Sequence, residues 1–273
     1  MSGLQTQIIT EALHAADLPA GVFNIVNGTG AVVGEALTAH PDVAKISFTG
    51  SSAVGQHLVS AGAATMKRVT LELGGKSPTV VLDDADFAAV MPLILQGGFM
   101  NSGQACVAGT RILVPRHRLA EFEQAMLDAV SRIKSGDPRE ADTDIGPMVS
   151  ARQWERVQGY IRLGTQEGAR LLAGGEGRPQ GLGAGWFVKP TIFTDVQNEM
   201  RIAQEEIFGP VLAIIAYDDD AHAIALANDT RYGLSAMVLG RDVARCGRIA
   251  RQIDAGRVPV SYTHLRAHET KAN

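Results

Sequence analysis

Two stretches decide how this chain reads: Leu71-Glu-Leu-Gly-Gly-Lys-Ser-Pro78 and Asn101-Ser-Gly-Gln-Ala-Cys106. The first offers a carboxylate, Glu72, beside a Gly-Gly pair. The second offers a thiol, Cys106, behind a glycine and a polar amide. A thiol becomes a nucleophile only with a base or a positive environment nearby. A carboxylate in an apolar setting can act as that base or activate water. Each residue also has a plain alternative: a free cysteine is most often a small buried hydrophobe, and Glu72 could be an exposed strand end.

Upstream, apolar residues at Leu4, Ile8, Ile9, Ala12 and Leu13 have helical spacing. Val22–Val26 reads as a short strand, Ala31–Thr38 as a helix, Ala44–Phe48 as a strand, Ser52–Ala63 as a helix and Arg68–Leu73 as a third strand. That alternation predicts a parallel sheet with right-handed crossovers. Downstream, strands are expected at Thr79–Leu82, Arg111–Val114, Val211–Tyr217 and Ala236–Leu239. Helices are expected at Asp86–Gly97, Leu119–Ile133, Arg152–Glu167, Ala221–Asn228 and Val243–Ile253. The segment Gly174–Gly185 is glycine-rich and reads as a surface loop.

Two glycine clusters compete for a phosphate. Gly28-x-Gly30-x-x-x-Gly34 approaches the dinucleotide fingerprint, but its last spacing is one residue too long. It also lacks an acidic residue about 20 positions on. Gly50-Ser-Ser-x-x-Gly55 opens a helix, where backbone N–H groups and the positive helix end suit a pyrophosphate.

With 273 residues, 45% of them apolar, the chain can build one large core or two modest ones. A net charge of −4 with scattered basic residues argues against nucleic acid as a partner. Two cysteines, Cys106 and Cys246, form no disulfide framework and suit a reducing compartment. No run approaches a membrane span, and the N-terminus has no signal-peptide pattern. These features together predict a cytoplasmic protein without a membrane partner. His264 and His268 are four apart but lack the acidic spacing of a metalloprotease motif, so no metal site is expected.

Glu-Leu-Gly-Gly-Lys-Ser-Pro followed by Gly-Gln-x-Cys resembles the aldehyde dehydrogenase superfamily. Phe48-Thr-Gly-Ser51, Lys189-Pro-Thr191, Glu205-Glu-Ile-Phe-Gly-Pro-Val211 and Tyr232-Gly-Leu-Ser235 fit the same family in the same order, over residues 3 to about 257. The resemblance implies an α/β fold: a partial Rossmann-type cofactor domain over 1–72 and an α/β catalytic domain over 73–257. Residues 258–273 form a non-matching tail, expected to be disordered. It implies an oxidoreductase that uses NAD, with NADP as the alternative, to turn an aldehyde into a carboxylic acid. Cys106 would be the nucleophile, passing through a thiohemiacetal and a thioester, and Glu72 the base that activates water. Gly50, Ser51, Leu73, Glu206 and Phe208 would hold the cofactor. Full-length family members are homo-oligomers.

The resemblance breaks in two places. The family carries a preceding segment that supplies the first strands of the cofactor sheet and an oxyanion-binding asparagine. After Val258 the family's Pro-x-Gly-Gly-x-Lys pattern is replaced, and Ser261–Asn273 is expected to pack poorly. Two readings therefore stand beside the dehydrogenase: a thiol esterase acting through Cys106 and Glu72, and a non-enzymatic fragment that binds a partner through an open sheet edge. An acylating, coenzyme A-dependent relative is a further variant, disfavoured because such enzymes generally lack the glutamate that stands here as Glu72.

Overall fold

The computed structural model describes residues 3–260. They form two compact units, one ending at Leu73 and the other beginning at Gly74.

The first unit opens with helix α1 (Gly3–Ala15). A π-turn over Gly30–Gly34 runs into a short helix, α2 (Glu35–Ala39). Strand β1 (Lys45–Thr49), helix α3 (Ser52–Gly62) and strand β2 (Arg68–Glu72) complete it. The two strands are parallel, with Lys45 opposite Arg68 and Thr49 opposite Glu72. The strand expected at Val22–Val26 is not formed. A strand exists by pairing its N–H and C=O groups with a neighbour, and this segment joins no ladder among the described residues. Its apolar side chains Val22, Phe23 and Val26 stay exposed.

The second unit is built on a six-stranded sheet of order β5-β6-β7-β4-β3-β8. Its chain order is β3 (Pro78–Val81), α4 (Phe87–Phe99), β4 (Arg111–Pro115), α5 (Leu119–Val130), α6 (Ala151–Gln166), β5 (Arg170–Ala173), β6 (Thr191–Thr194), α7 (Arg201–Gln204), β7 (Val211–Tyr217), α8 (Asp220–Asn228), β8 (Met237–Leu239) and α9 (Val243–Ala250). Every pairing is parallel except β5 with β6. The central strands are buried on both faces, which is why they read as unbroken apolar runs.

Alternation splits one strand between two cores. Leu113 packs with Val157 and Ile161 of α6, and with Ala223 of α8 and Ile249 of α9. Its neighbours Ile112 and Val114 point the other way, onto Val90 and Ile94 of α4 and Phe122 and Met126 of α5. The helices start where side chains cap them. Asp86, Ser150, Asp219 and Asp242 accept the free N–H groups of the first turns of α4, α6, α8 and α9.

Sequence periodicity alone does not reveal β5 and β6. Each is four residues long, and β6 (Thr191-Ile-Phe-Thr194) directly follows Lys189-Pro190. Residues 258–260, expected in a disordered tail, instead lie against β8. Val260 bridges Val238, and the Val238 N–H donates to the Pro259 carbonyl at 3.1 Å. The expectation for Ser261–Asn273, and with it His264 and His268, falls outside the described residues.

Arg111, at the start of β4, is fully buried. Its Nε donates to the Lys76 carbonyl at 3.0 Å. Its two terminal nitrogens donate to Asn198 Oδ1 and to the carbonyls of Leu226 and Ala227, each at 2.9 Å. Asn198 in turn donates to the carboxylate and carbonyl of Asp229. Removing the guanidinium takes the donor from all four acceptors, three of them buried. Arg111→Leu should therefore cost about 3–5 kcal/mol of stability, read as a lower urea midpoint at unchanged slope.

Candidate active site

Three loops of the second unit lead into the N-terminal ends of neighbouring parallel strands. Gly74–Ser77 enters β3, Asn101–Thr110 enters β4, and Glu205–Pro210 enters β7. Their approach is close enough to require glycine. A Cβ on Gly75 would stand 2.2 Å from the Cys106 carbonyl oxygen, and one on Gly103 would stand 2.2 Å from the Gly209 carbonyl oxygen. A Cβ on Gly74 would strike the Glu206 carboxylate at 2.4 Å. The Gly75 N–H donates to Glu206 Oε1 at 3.1 Å. Cys106 and Glu206, distant in sequence, thus meet around Gly74–Gly75.

Cys106 is partly exposed. The turn before it is strained: Asn101, Ser102 and Gly103 all have left-handed backbones, with φ of 50°, 59° and 72°. Two of the three carry a Cβ, so surrounding structure must enforce the conformation. Ser102 does so by exchanging both bonds of a backbone pair. Its hydroxyl donates to the Gly146 carbonyl at 3.1 Å and accepts from the Gly146 N–H at 3.0 Å. Gln104 Oε1 accepts from the Val149 N–H at 2.9 Å. The Cys106 loop is pinned to residues 146–149 by the polar residues that precede the cysteine.

Helix α6 supports the Glu205–Pro210 loop. Gln153 donates to the carbonyls of Ile207 and Phe208, and Arg156 donates to the carbonyl of Glu206 at 2.7 Å. Val157 packs where Gly209 has no side chain. The two acids of Glu205-Glu206 then part company. Glu205 takes hydrogen bonds from Arg201 and Tyr160, and Arg201 first of all holds its carboxyl below the usual range. Glu206 is pushed up by burial, against the Gly75 N–H, Arg156 and Lys76. Phe208 is exposed and has a left-handed backbone, φ 60°.

The first unit gathers the remaining candidates. The Gly50 N–H donates to the Glu72 carbonyl at 3.0 Å, so Glu72, Gly50 and Ser51 stand side by side at the ends of β1 and β2. The Glu72 side chain is exposed. Ser51 caps α3, its hydroxyl accepting from the Val54 N–H at 3.4 Å. Leu73 lies under α3, where a Cβ on Gly55 would meet its side chain at 2.7 Å. Between α2 and α3 runs a groove of about 690 Å³ lined by Gly30, Gly34, Phe48 and Val54. Glu35 and His57, 2.8 Å apart, also line it. Both glycine clusters of the sequence contribute to this one unit. A Cβ at Gly30 or Gly34 would meet nothing within 4 Å. Among the described residues no cluster of three metal-binding side chains occurs, and no helix is long and apolar enough to cross a membrane.

Sequence reasoning missed the supports: Ser102 as a clamp, Gln153 and Arg156 as props, and Arg111 as a buried anchor. The one visible signal was Arg111, a charge opening an otherwise apolar strand.

The model of the aldehyde dehydrogenase family matches residues 1–272, so the chain belongs to that family. A putative aldehyde dehydrogenase of Staphylococcus haemolyticus is 46% identical over 254 residues, which is 93% of this chain and 54% of the relative. Among solved structures, a mutant of aldehyde dehydrogenase C from Pseudomonas syringae, in complex with NAD+ and octanal, is 48% identical. It superposes with a TM-score of 0.94 over 96% of this chain and 54% of its own. An aldehyde dehydrogenase of Mycobacterium tuberculosis in complex with NAD+ is 47% identical, with a TM-score of 0.91 over 94% of this chain and 53% of its own. The chain thus spans about half the length of the relatives it matches.

Ser102→Ala should remove both bonds to Gly146 and cost about 1–2 kcal/mol. The loosened loop should also let iodoacetamide alkylate Cys106 several-fold faster, measured by mass spectrometry against Cys246 as the buried internal control.

Proposed function

We infer that this chain carries the nucleophile and a large part of the dinucleotide site of an NAD-dependent aldehyde dehydrogenase, which oxidises an aldehyde to a carboxylic acid. The observation that carries the reading is the convergence of Cys106 and Glu206 on Gly74–Gly75, in a member of this family. NAD+ in the P. syringae and M. tuberculosis relatives and octanal in the former support the cofactor and the substrate class.

The residues fit the cofactor. The groove beside α3 is large enough for an adenosine and has open glycine walls. The N-terminus of α3, at Gly50 and Ser51, presents N–H groups to a pyrophosphate. Leu73 closes the underside of that helix. In the second unit, Glu206 is a half-buried carboxylate suited to ribose hydroxyls, and exposed Phe208 offers a ring face for the nicotinamide.

The chemistry of the chain's own residues follows. The Cys106 thiolate adds to the aldehyde carbon, forming the C–S bond and leaving the negative charge on oxygen. NAD, when bound, supplies the acceptor for the hydride that leaves this carbon, and a thioester stays on Cys106. Glu72 takes a proton from water, the hydroxide adds to the thioester carbon, and the C–S bond breaks to release the carboxylic acid. The strained, clamped loop pre-sets the sulfur and spares reorganisation during attack.

Cys106→Ala should abolish turnover. Glu72→Gln should keep a single-turnover burst of NADH while slowing deacylation about 10²-fold or more. Stopped-flow absorbance at the NADH band reads both steps. Unchanged steady-state turnover in Glu72→Gln would overturn the role given to that residue. Ester cleavage that needs no NAD, without any NADH burst, would favour the thiol esterase reading instead.

A further inference from the structure

The glycine-rich segment Gly174–Gly185 and the Lys189-Pro-Thr191 motif take no part in the chemistry above. The segment is nevertheless held at its base. The Gly175 N–H donates to Thr191 Oγ1 at 3.2 Å, Lys189 Nζ to the Glu176 carbonyl at 2.8 Å, and the Gly177 N–H to Gln158 Oε1 at 2.6 Å. Beyond that base the chain turns back, the Leu182 N–H donating to the Pro179 carbonyl at 3.2 Å. Arg178 there lies over two indoles. Its guanidinium carbon is 4.9 Å from the centre of the Trp154 ring and 5.9 Å from that of Trp186. The two rings are 6.3 Å apart. A guanidinium is held in such a place by cation–π attraction and stacking.

Three successive carbonyls fix the end of the segment. Gly185 accepts from Arg178 Nε at 3.0 Å, Trp186 from the Met148 N–H at 2.9 Å, and Phe187 from Trp154 Nε1 at 2.8 Å. The middle bond reaches the stretch that pins the Cys106 loop. Gly146 and Val149 meet that loop through Ser102 and Gln104. Met148, between them, gives its N–H to Trp186 instead. The Met148 side chain anchors the stretch in the core, and the Trp186 carbonyl sets the direction of its backbone. Residues 146–149 are thus gripped twice, by the Cys106 loop and by a clasp of Arg178, Trp154 and Trp186. The strained turn at Asn101–Gly103 keeps its shape only while its surroundings enforce it.

We propose that Arg178 is a positioning residue for the Cys106 loop, acting through the two indoles and residues 146–149. Every link in that chain is a bond or ring contact: guanidinium to indoles and Gly185, Trp186 to Met148, Gly146 and Val149 to Ser102 and Gln104. Its bearing on aldehyde chemistry rests on the reading of Cys106 as the nucleophile; the mechanical link does not. The clasp stands at the surface, with Trp186 40% exposed, so Arg178 can be replaced without opening the core.

The link is tested without any cofactor. Trp154 and Trp186 are the chain's only tryptophans, so intrinsic fluorescence reads the clasp directly. Arg178→Ala should shift the emission to the red. In native buffer it should also let iodoacetamide alkylate Cys106 several-fold faster while Cys246 stays protected, and hydrogen exchange of amides 146–149 should speed up. Ser102→Ala frees the loop from the same stretch. In Ser102→Ala/Arg178→Ala the acceleration should therefore fall well short of the product of the single effects. Unshifted emission, or shifted emission with Cys106 alkylated at the wild-type rate, overturns the proposal. So do effects that multiply in the double variant, which would mean separate routes. Equal acceleration at Cys106 and Cys246, in Arg178→Ala and in the milder Arg178→Lys alike, would mean global opening and overturn it too. Turnover that survives Cys106→Ala would sink the nucleophile reading and leave the alkylation rates to decide the clasp.

Discussion

A guanidinium sealed from water is the fixed point of the second unit. Arg111 opens the strand that follows the Cys106 loop, and its four bonds reach Lys76, Asn198 and the last turn of α8. Burying such a charge is tolerable only because every donor finds a directed acceptor. The helix end supplies carbonyls that would otherwise be orphans, and a cation there also complements the helix dipole. Strand order, helix placement and the backbone behind Glu206 therefore share one electrostatic solution. Apolar packing on the two faces of the sheet provides the bulk of the stability, but it does not by itself choose this register.

The site uses the opposite end of the sheet from the one usual in open α/β folds. Ligand crevices there lie beyond the carboxyl ends of strands, whereas these three loops enter β3, β4 and β7. At these three loops close backbone contact shapes the site. Gly74, Gly75, Gly103 and Gly209 let main chain and carboxylate approach where any side chain would collide. The strained Asn101–Gly103 turn leads into Cys106, and the two side chains flanking Gly103 hold that turn.

Much of this was legible in the sequence because motif and backbone geometry coincide. The Gly-Gly pair behind Glu72 and the Gly-Gln before Cys106 name positions where only particular backbones fit. Buried parallel strands such as Val211–Tyr217 announce themselves as apolar runs. What escaped was long-range. Val22–Val26 has the composition of a strand yet pairs with nothing here, since a ladder depends on a neighbour and not on propensity. Strands β5 and β6 are too short for a period. Ser102, Gln153 and Arg156 act on residues more than 40 positions away, and single-chain patterns carry no such information. The start of the tail shows the reverse error: residues 258–260 lie past the last motif read in the sequence, yet the family model runs through them and β8 offers them an open edge.

The place of β3 has a consequence for the order in which the chain can assemble. It lies between β4, which comes soon after it, and β8, which comes near the end; Thr79 pairs with Met237. During synthesis one edge of β3 must wait while β5, β6 and β7 emerge, and the small cavity beside Lys76 and Ser77 is not walled until Tyr232–Ala255 arrives. A topology dominated by such distant pairs folds slowly and leaves a sticky edge open meanwhile. A nascent chain of this kind depends on late residues to hide an early strand, so chaperone demand should track how fast the ribosome reaches that closing segment.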